Sequence, residues 1–174
     1  MYYIMSDVQV IDNFLPQDYF DNLCLMTNDL PWFFHNYSVY KGDEDPQFYH
    51  LFYYDGDVKS PDYYKYVYEI YTRYVPGADG RGLYRMKMNG TPKGPHIHQH
   101  QYHIDVTKDD EYVEHNVCIL YMNTNNGYTL FEESQQKVQS VANRAVLFPG
   151  HLRHTGTNCT DEGLRILMNI DYFS

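Results

Sequence analysis

Between residues 96 and 105 the chain reads His96-Ile97-His98-Gln99-His100-Gln101-Tyr102-His103-Ile104-Asp105. Side chains two apart on an extended strand share a face, so a strand over 96–106 sets His103 beside Asp105, within reach of one ion. His96, His98 and His100 share the other parity and are expected to point away from His103. Outward from this segment, short β-type runs recur, broken by Gly, Pro, Asn and Asp: 83–89, 113–122, 128–132, 137–141, 145–148 and 164–172. Runs of this length and spacing predict an all-β barrel or sandwich. Asn123-Thr124-Asn125-Asn126-Gly127 reads as a tight turn joining two of them.

The half of the chain before Leu83 is mixed. A strand is expected over 8–11, then a helix from about Gln17 to Asn28, opened by Pro16, with Phe20, Leu23, Cys24 and Thr27 on one face. Leu30-Pro31 ends it. Strand-like runs follow at 32–40 and 47–54. Ser60 as N-cap and Pro61 at the first helical position start a second helix, carrying Tyr64, Val67, Tyr68 and Tyr71 at helical spacing until Pro76-Gly77. Both helices read as amphipathic braces against a sheet. The expectation is one domain over 1–174, with 1–82 supporting a β-core over 83–174.

Composition narrows the function classes. The net charge is −10 with histidine neutral, and no basic stripe is present, which argues against a nucleic-acid partner. The acidic stretches 42–45 and 108–111 read as solvated loops. Cys24, Cys118 and Cys159 form no CxxC, and three cysteines cannot pair completely, so a reducing cytoplasmic setting is expected. Cys118, in an apolar run, reads as a small buried hydrophobe. No signal-like or membrane-spanning stretch is evident. Tyrosine is abundant, at 20 residues against 9 Phe and 1 Trp. It suits strands that line a pocket or a surface, or simply a β-rich chain that uses it as its strand residue.

The chemistry-bearing residues lie far apart. Beyond His103 and Asp105 come Phe148-Pro149-Gly150-His151-Leu152-Arg153-His154-Thr155-Gly156, and then Arg165 on the final apolar run, eleven residues after His154. Two histidines and one carboxylate that leave three coordination positions open form the ligand set of non-haem Fe(II) oxygenases. A 2-oxoacid with a distal carboxylate also needs a fixed cation, and the arginine fork suits a carboxylate. A lone HxD is a weak signal; HxD, a later His and a last-strand Arg together are specific. Arg85, Lys87 and Asn89 alternate on the first core strand, facing either the pocket or solvent. Arg144, beside Asn143, reads as a turn anchor. His96, His98, His100 and His151 read as rim or loop residues.

From Leu83 to Ser174 the chain resembles the double-stranded β-helix core of the Fe(II)/2-oxoglutarate oxygenases, a jelly-roll or cupin-like fold. It is most similar to the small prolyl-hydroxylase-like branch, many of whose members come from marine phages and bacteria. The stretches that carry the resemblance are Tyr102-His103-Ile104-Asp105, 118–123, 127–131, 141–148, His154-Thr155-Gly156 and 165–169. The opening, Val10 to Phe20, is similar to the start of the same group. One departure is Asn126 where many members carry the first of two glycines before x-Leu-x-Phe; asparagine also tolerates a left-handed backbone.

The resemblance implies an iron triad of His103, Asp105 and His154, with Arg165 binding the distal carboxylate of 2-oxoglutarate and Tyr121 donating a hydrogen bond to it. It also implies dioxygen as co-substrate, release of succinate and CO2, and ascorbate as a possible reductant. The substrate would be a C–H bond of a peptide or protein side chain, or of a small metabolite. An alternative is a cupin of other chemistry (isomerase, lyase or thiol dioxygenase) built on His96 and His98, with Pro149-Gly150, His154 and Asn158. That reading lacks a glutamate after His98 and gives Arg165 no role. An inert barrel would be expected to lose a triad residue, and no GxSxG motif supports a hydrolase.

Overall fold

The computed structural model describes residues 7–38, 43, 45–78, 82–108 and 111–173. The end of the expected run 32–40 and parts of both acidic stretches lie outside the described residues. Among those described, the order is β1 (Gln9–Ile11), α1 (Gln17–Asp29), β2 (Phe33–His35), β3 (Gln47–Tyr54), β4 (Asp57–Val58), α2 (Pro61–Tyr74), β5 (Leu83–Pro92), β6 (Thr107–Lys108) and β7 (Glu111–Tyr112). The rest is β8 (Asn116–Tyr121), β9 (Tyr128–Phe131), β10 (Lys137–Gln139), β11 (Arg144–Pro149), β12 (His154–Gly156) and β13 (Leu164–Tyr172).

The main sheet runs β1-β11-β8-β13-β5-β3-β2, with β4 on β3, and a smaller sheet runs β10-β9-β12. All these pairs are antiparallel. The architecture is a double-stranded β-helix. The first half of the chain does more than brace it, because β1 extends one edge of the main sheet and β3 and β2 extend the other.

Strand parity divides the interior in two. Cys118 and Leu120 of β8, Ala145 and Leu147 of β11, Met86 and Met88 of β5, and Met168 and Ile170 of β13 meet the helices in one core. Phe20 and Leu23 of α1 and Val67, Ile70 and Tyr71 of α2 close that core. The alternate residues Val117, Ile119, Tyr121, Val146, Phe148 and Leu167 face the smaller sheet and pack with Phe131 and Val138. β8 and β11 are apolar on both faces, which is why they read as continuous apolar runs. On β5 and β13 the barrel-facing parity is instead polar, and those residues make the site.

Several expectations are corrected. The segment 96–106 is not a strand; only isolated bridges at Gln99–Thr157 and His103–His154 form there. Its backbone is diverted to side chains, with Asn158 Nδ2 donating to His96 O, Asn158 Oδ1 accepting from His98 N, and Thr155 Oγ1 donating to His100 O. The segment 123–127 does join two strands as expected, β8 and β9, which belong to different sheets. Asn123 there continues the ladder with its side chain, accepting from Ile166 N at 2.9 Å and donating to Leu164 O at 2.8 Å. Ser60 sits at the N-cap of α2, but its hydroxyl caps nothing and bonds His50 Nε2 at 2.9 Å.

Tyrosine does not line the cavity described below. It concentrates on α2, where Tyr66 stacks on Tyr19 of α1 at 4.6 Å and each hydroxyl donates to the other residue's carbonyl. All three cysteines are free, and burial pushes the Cys118 thiol up to about 12. No helix among the described residues is long and apolar enough to cross a membrane.

Asn143 clasps the N-terminal segment to the barrel. At φ 60° it occupies the left-handed region, which asparagine tolerates better than most residues. Its Oδ1 accepts from Leu15 N at 2.9 Å and its Nδ2 donates to Leu15 O at 2.8 Å, both buried. The neighbouring Arg144–Asp12 pair, 2.5 Å apart, is open to solvent on the Asp12 side and so is screened by water. Asn143→Ala strands two buried backbone groups and should cost about 2–4 kcal/mol, whereas Arg144→Ala should cost much less. Urea unfolding midpoints at unchanged slope provide the comparison.

Candidate active site

His103 and His154 face each other across an antiparallel backbone pair: His103 N donates to His154 O at 2.9 Å, and His154 N to His103 O at 3.1 Å. Their rings are 4.6 Å apart. Asp105, two residues on, completes a group whose ligand atoms all lie within 4.8 Å of one another.

Each ring is oriented by its own turn. Nδ1 of His103 lies 3.1 Å from Gln101 O, and Nδ1 of His154 lies 3.1 Å from Leu152 O. A carbonyl only accepts, so the proton of each neutral ring sits on Nδ1 and Nε2 presents a lone pair. Burial, with His154 beside it, lowers His103 to about 4 and favours that neutral form. His154 is lowered by burial but raised more by Asp105, so without a cation at the site it tends to hold a proton.

Nε2 of His154 stands 3.2 Å from Asp105 Oδ2, yet Oδ2 accepts no hydrogen bond there. Once a cation replaces the proton on His154 Nε2, two lone-pair nitrogens and a buried carboxylate oxygen with no other donor lie within 4.8 Å of one another. That donor set, two imidazole nitrogens and one carboxylate oxygen, fits a divalent first-row metal with open positions.

The other carboxylate oxygen is held from the main sheet. Arg85 Nη2 donates to Asp105 Oδ1 at 2.7 Å, Asn169 Nδ2 donates to the same atom at 2.9 Å, and Arg85 Nε donates to Asp171 at 2.6 Å. One guanidinium serves two carboxylates. Burial therefore pushes Asp171 up to about 7, opposed by Arg85 and reinforced by the charge on Asp105. Asp105 itself is held well below the usual carboxylate range: burial raises it, but His154, Arg85 and His103 together outweigh that.

These residues line one end of a cavity of about 160 Å³. At its other end stands Arg165, four residues from Asn169 on β13, roughly 13 Å along a strand rising about 3.3 Å per residue. Arg165 is 2% exposed and pairs with no carboxylate among the described residues. Its Nε donates to Ser140 Oγ at 2.8 Å, its Nη2 donates to Thr129 Oγ1 at 3.2 Å, and the guanidinium lies 5.5 Å over the Tyr121 ring. Arginine does not deprotonate. A buried cation held only by hydroxyls and an aromatic face is a socket for an anion. Gly127 makes room for it, since a Cβ there would come within 2.6 Å of both Arg165 Cδ and the backbone oxygen of Asn158.

The remaining candidates fall out as follows. Tyr121 is fully buried, and its hydroxyl bonds Thr129 at 2.8 Å and approaches Val138 O at 3.3 Å. It is not part of the cavity wall, and Thr129 stands between it and the cavity. Arg85, Lys87 and Asn89 face the cavity, not solvent. His100 also lines it, contrary to its parity, because 96–106 is irregular. His98 is mostly exposed and pairs with Asp45 at 2.9 Å, so His96 and His98 form no metal set among the described residues. Thr129, Asn169 and Asp171 on their strands, and Ser140 just past β10, carry no sequence signal of their own.

No protein-family model matches the chain, and no curated protein matches it. Solved structures do. A 2OG-Fe(II) oxygenase family oxidoreductase from Burkholderia pseudomallei is 10% identical, with a TM-score of 0.73 over 95% of this chain and 84% of that one. A prolyl-4-hydroxylase from Pseudomonas putida is 15% identical, with a TM-score of 0.62 over 96% and 92%. The viral collagen prolyl hydroxylase of Paramecium Bursaria Chlorella virus-1, solved with 2OG, is 14% identical, with a TM-score of 0.57 over 95% and 94%. At these identities the likeness establishes the fold: the chain has the double-stranded β-helix fold of the Fe(II)/2-oxoglutarate oxygenases.

Removing one partner of a buried ion pair costs about 3–5 kcal/mol. Arg85→Met, which leaves Asp105 and Asp171 facing each other, should lower the stability of the metal-free protein by that amount. Adding Asp171→Asn should restore much of it. Equilibrium urea unfolding in the presence of a chelator measures both.

Proposed function

We propose that the protein is an Fe(II)- and 2-oxoglutarate-dependent dioxygenase. It hydroxylates a C–H bond of a peptide or protein side chain, or of a small metabolite. The observation that carries the reading is the pairing, in one cavity, of a convergent His103–Asp105–His154 lone-pair set with an anion socket at Arg165. His103, Asp105 and His154 would hold the iron. Arg165, with Thr129 and Ser140, would receive the distal carboxylate of 2-oxoglutarate, and Tyr121 would act on it through Thr129.

Iron with 2-oxoglutarate and dioxygen supplies an oxidant for unactivated C–H bonds and yields succinate and CO2. The chain's own part is placement and exclusion of water. The Nδ1–carbonyl bonds hold both rings with Nε2 inward, and Arg85 with Asn169 fixes one oxygen of Asp105 so that the other stays free. Phe148, edge-on to His154 at 4.7 Å, closes the apolar side.

The test begins with anaerobic addition of Fe(II) and 2-oxoglutarate, following the visible absorption of their complex, and continues with succinate release in air. His103→Ala and Asp105→Ala should abolish both signals, and wild-type activity in either variant would refute the reading. Arg165→Ala should weaken 2-oxoglutarate by about 10-fold or more, the loss of a buried charge-assisted contact. Tyr121→Phe should weaken it by only about 3-fold, since Thr129 remains. A product heavier by one oxygen atom distinguishes hydroxylation from chemistry that leaves the mass unchanged.

A further inference from the structure

The wall of β5 carries polar groups that neither the metal set nor the Arg165 socket uses. Arg85, Lys87, Asn89 and Thr91 share the cavity-facing parity and lie opposite Asp171, Asn169, Leu167 and Arg165 of β13. Arg85 is compensated by two carboxylates. Lys87, one step along, is half-buried in the same wall and has no carboxylate within 4.0 Å among the described residues. The Tyr49 ring lies 6.0 Å from it, and Asp105 and Asp171 attract it only from beyond ion-pair distance. Loss of hydration, with Arg85 beside it, pushes its ammonium down to about 8, a cation short of a counter-ion.

Two acceptors line the same cavity, one on β5 and one on the 96–106 segment. Asn89 Oδ1 is buried and accepts no hydrogen bond. His100 presents its Nδ1 to Asp45 at 3.2 Å and to Ser38 Oγ at 3.0 Å. A proton on that nitrogen satisfies the carboxylate and leaves Nε2, also buried and unpartnered, as an acceptor. A buried polar atom without a partner costs free energy until something supplies the missing donor.

We propose that the primary substrate is a free α-amino acid, its carboxylate paired with Lys87 and its ammonium received by Asn89 and His100. In the proposed mode one carboxylate of 2-oxoglutarate would go to the metal and the other to Arg165, which leaves the Lys87 ammonium for another anion. An internal peptide residue brings neither terminal charge, so it answers neither group. The inference rests on the oxygenase reading and selects among the substrates that reading allows.

The experiment uses full-length protein with Fe(II) and 2-oxoglutarate, and screens the twenty L-α-amino acids for stimulated succinate release. The α-amide and N-acetyl form of each are run beside it. At least one free acid should stimulate release, with its amide and N-acetyl form weaker by about 10-fold or more, the scale of a charge-assisted contact. Lys87→Met should raise the amino acid's half-saturating concentration by about 10-fold or more, and Lys87→Arg should recover part of it. The half-saturating 2-oxoglutarate concentration for the anaerobic absorption should stay near wild type in Lys87→Met. The proposal is overturned if amides serve as well as acids, if no free acid stimulates, or if Lys87→Met weakens 2-oxoglutarate instead. Failure of the wild-type absorption itself refutes the oxygenase reading, a separate result.

Discussion

Two backbone hydrogen bonds between His103 and His154, at 2.9 and 3.1 Å, tie together residues half a hundred positions apart, and the site depends on them. Residues that exchange both bonds in an antiparallel pair keep their side chains on one face. A slip of one residue would turn one ring to the other side of the sheet. That register brings the two imidazoles within 4.6 Å before any ligand arrives. The third donor, Asp105, comes from the same segment but is held from the main sheet by Arg85 and Asn169. The donor set therefore spans the gap between the sheets, and the packing of Phe131 edge-on to Phe148 at 4.9 Å helps to fix that gap.

The barrel interior is apolar where β8 and β11 face it and polar where β5 and β13 do, although all four belong to one sheet. Parity alone accomplishes this. Methionines at 86, 88 and 168 and Ile170 carry the helix-side core, which frees the opposite face of those two strands for charged and amide side chains. Such a face is costly unless its groups bond one another or a ligand. Arg85, Asp105, Asp171 and Asn169 largely satisfy one another, whereas Arg165 and Lys87 find no carboxylate, and Asn89 Oδ1 no donor, among the described residues.

The barrel and both helices were legible because apolar periodicity and Gly, Pro and Asn punctuation report directly on burial and turns. The spacing of His103, Asp105 and His154 was legible because a shared ligand atom restricts which residue types can serve. What failed was strand parity around His100. The rule that alternate side chains face opposite ways holds only for a regular ladder, and Asn158 and Thr155 break that ladder by capturing the backbone of 96–100. The tyrosines, read as lining a pocket or a surface or as ordinary strand residues, concentrate instead on α2. A phenol satisfies its hydroxyl as well against a helix carbonyl, as Tyr66 does on Tyr19, as against a ligand. Thr129 and Ser140 were invisible because a hydroxyl on a short strand carries no signal until its neighbour is known to be Arg165.

The distribution of charge within the cavity runs against that of the whole chain. The protein carries −10, yet two cations of the cavity wall, buried Arg165 and half-buried Lys87, lack a carboxylate partner among the described residues, while at the metal-facing end Arg85 and His154 share two carboxylates. Rearrangement of side chains cannot cancel this separation, because Arg165 and Asp171 sit at fixed positions six residues apart on one strand. An isolated buried charge is expensive and an ion pair recovers that cost only at contact distance. A cation at Asp105 would take the place of the His154 proton and an anion at Arg165 would answer an unpaired guanidinium, so the two ends of one cavity call for opposite charges.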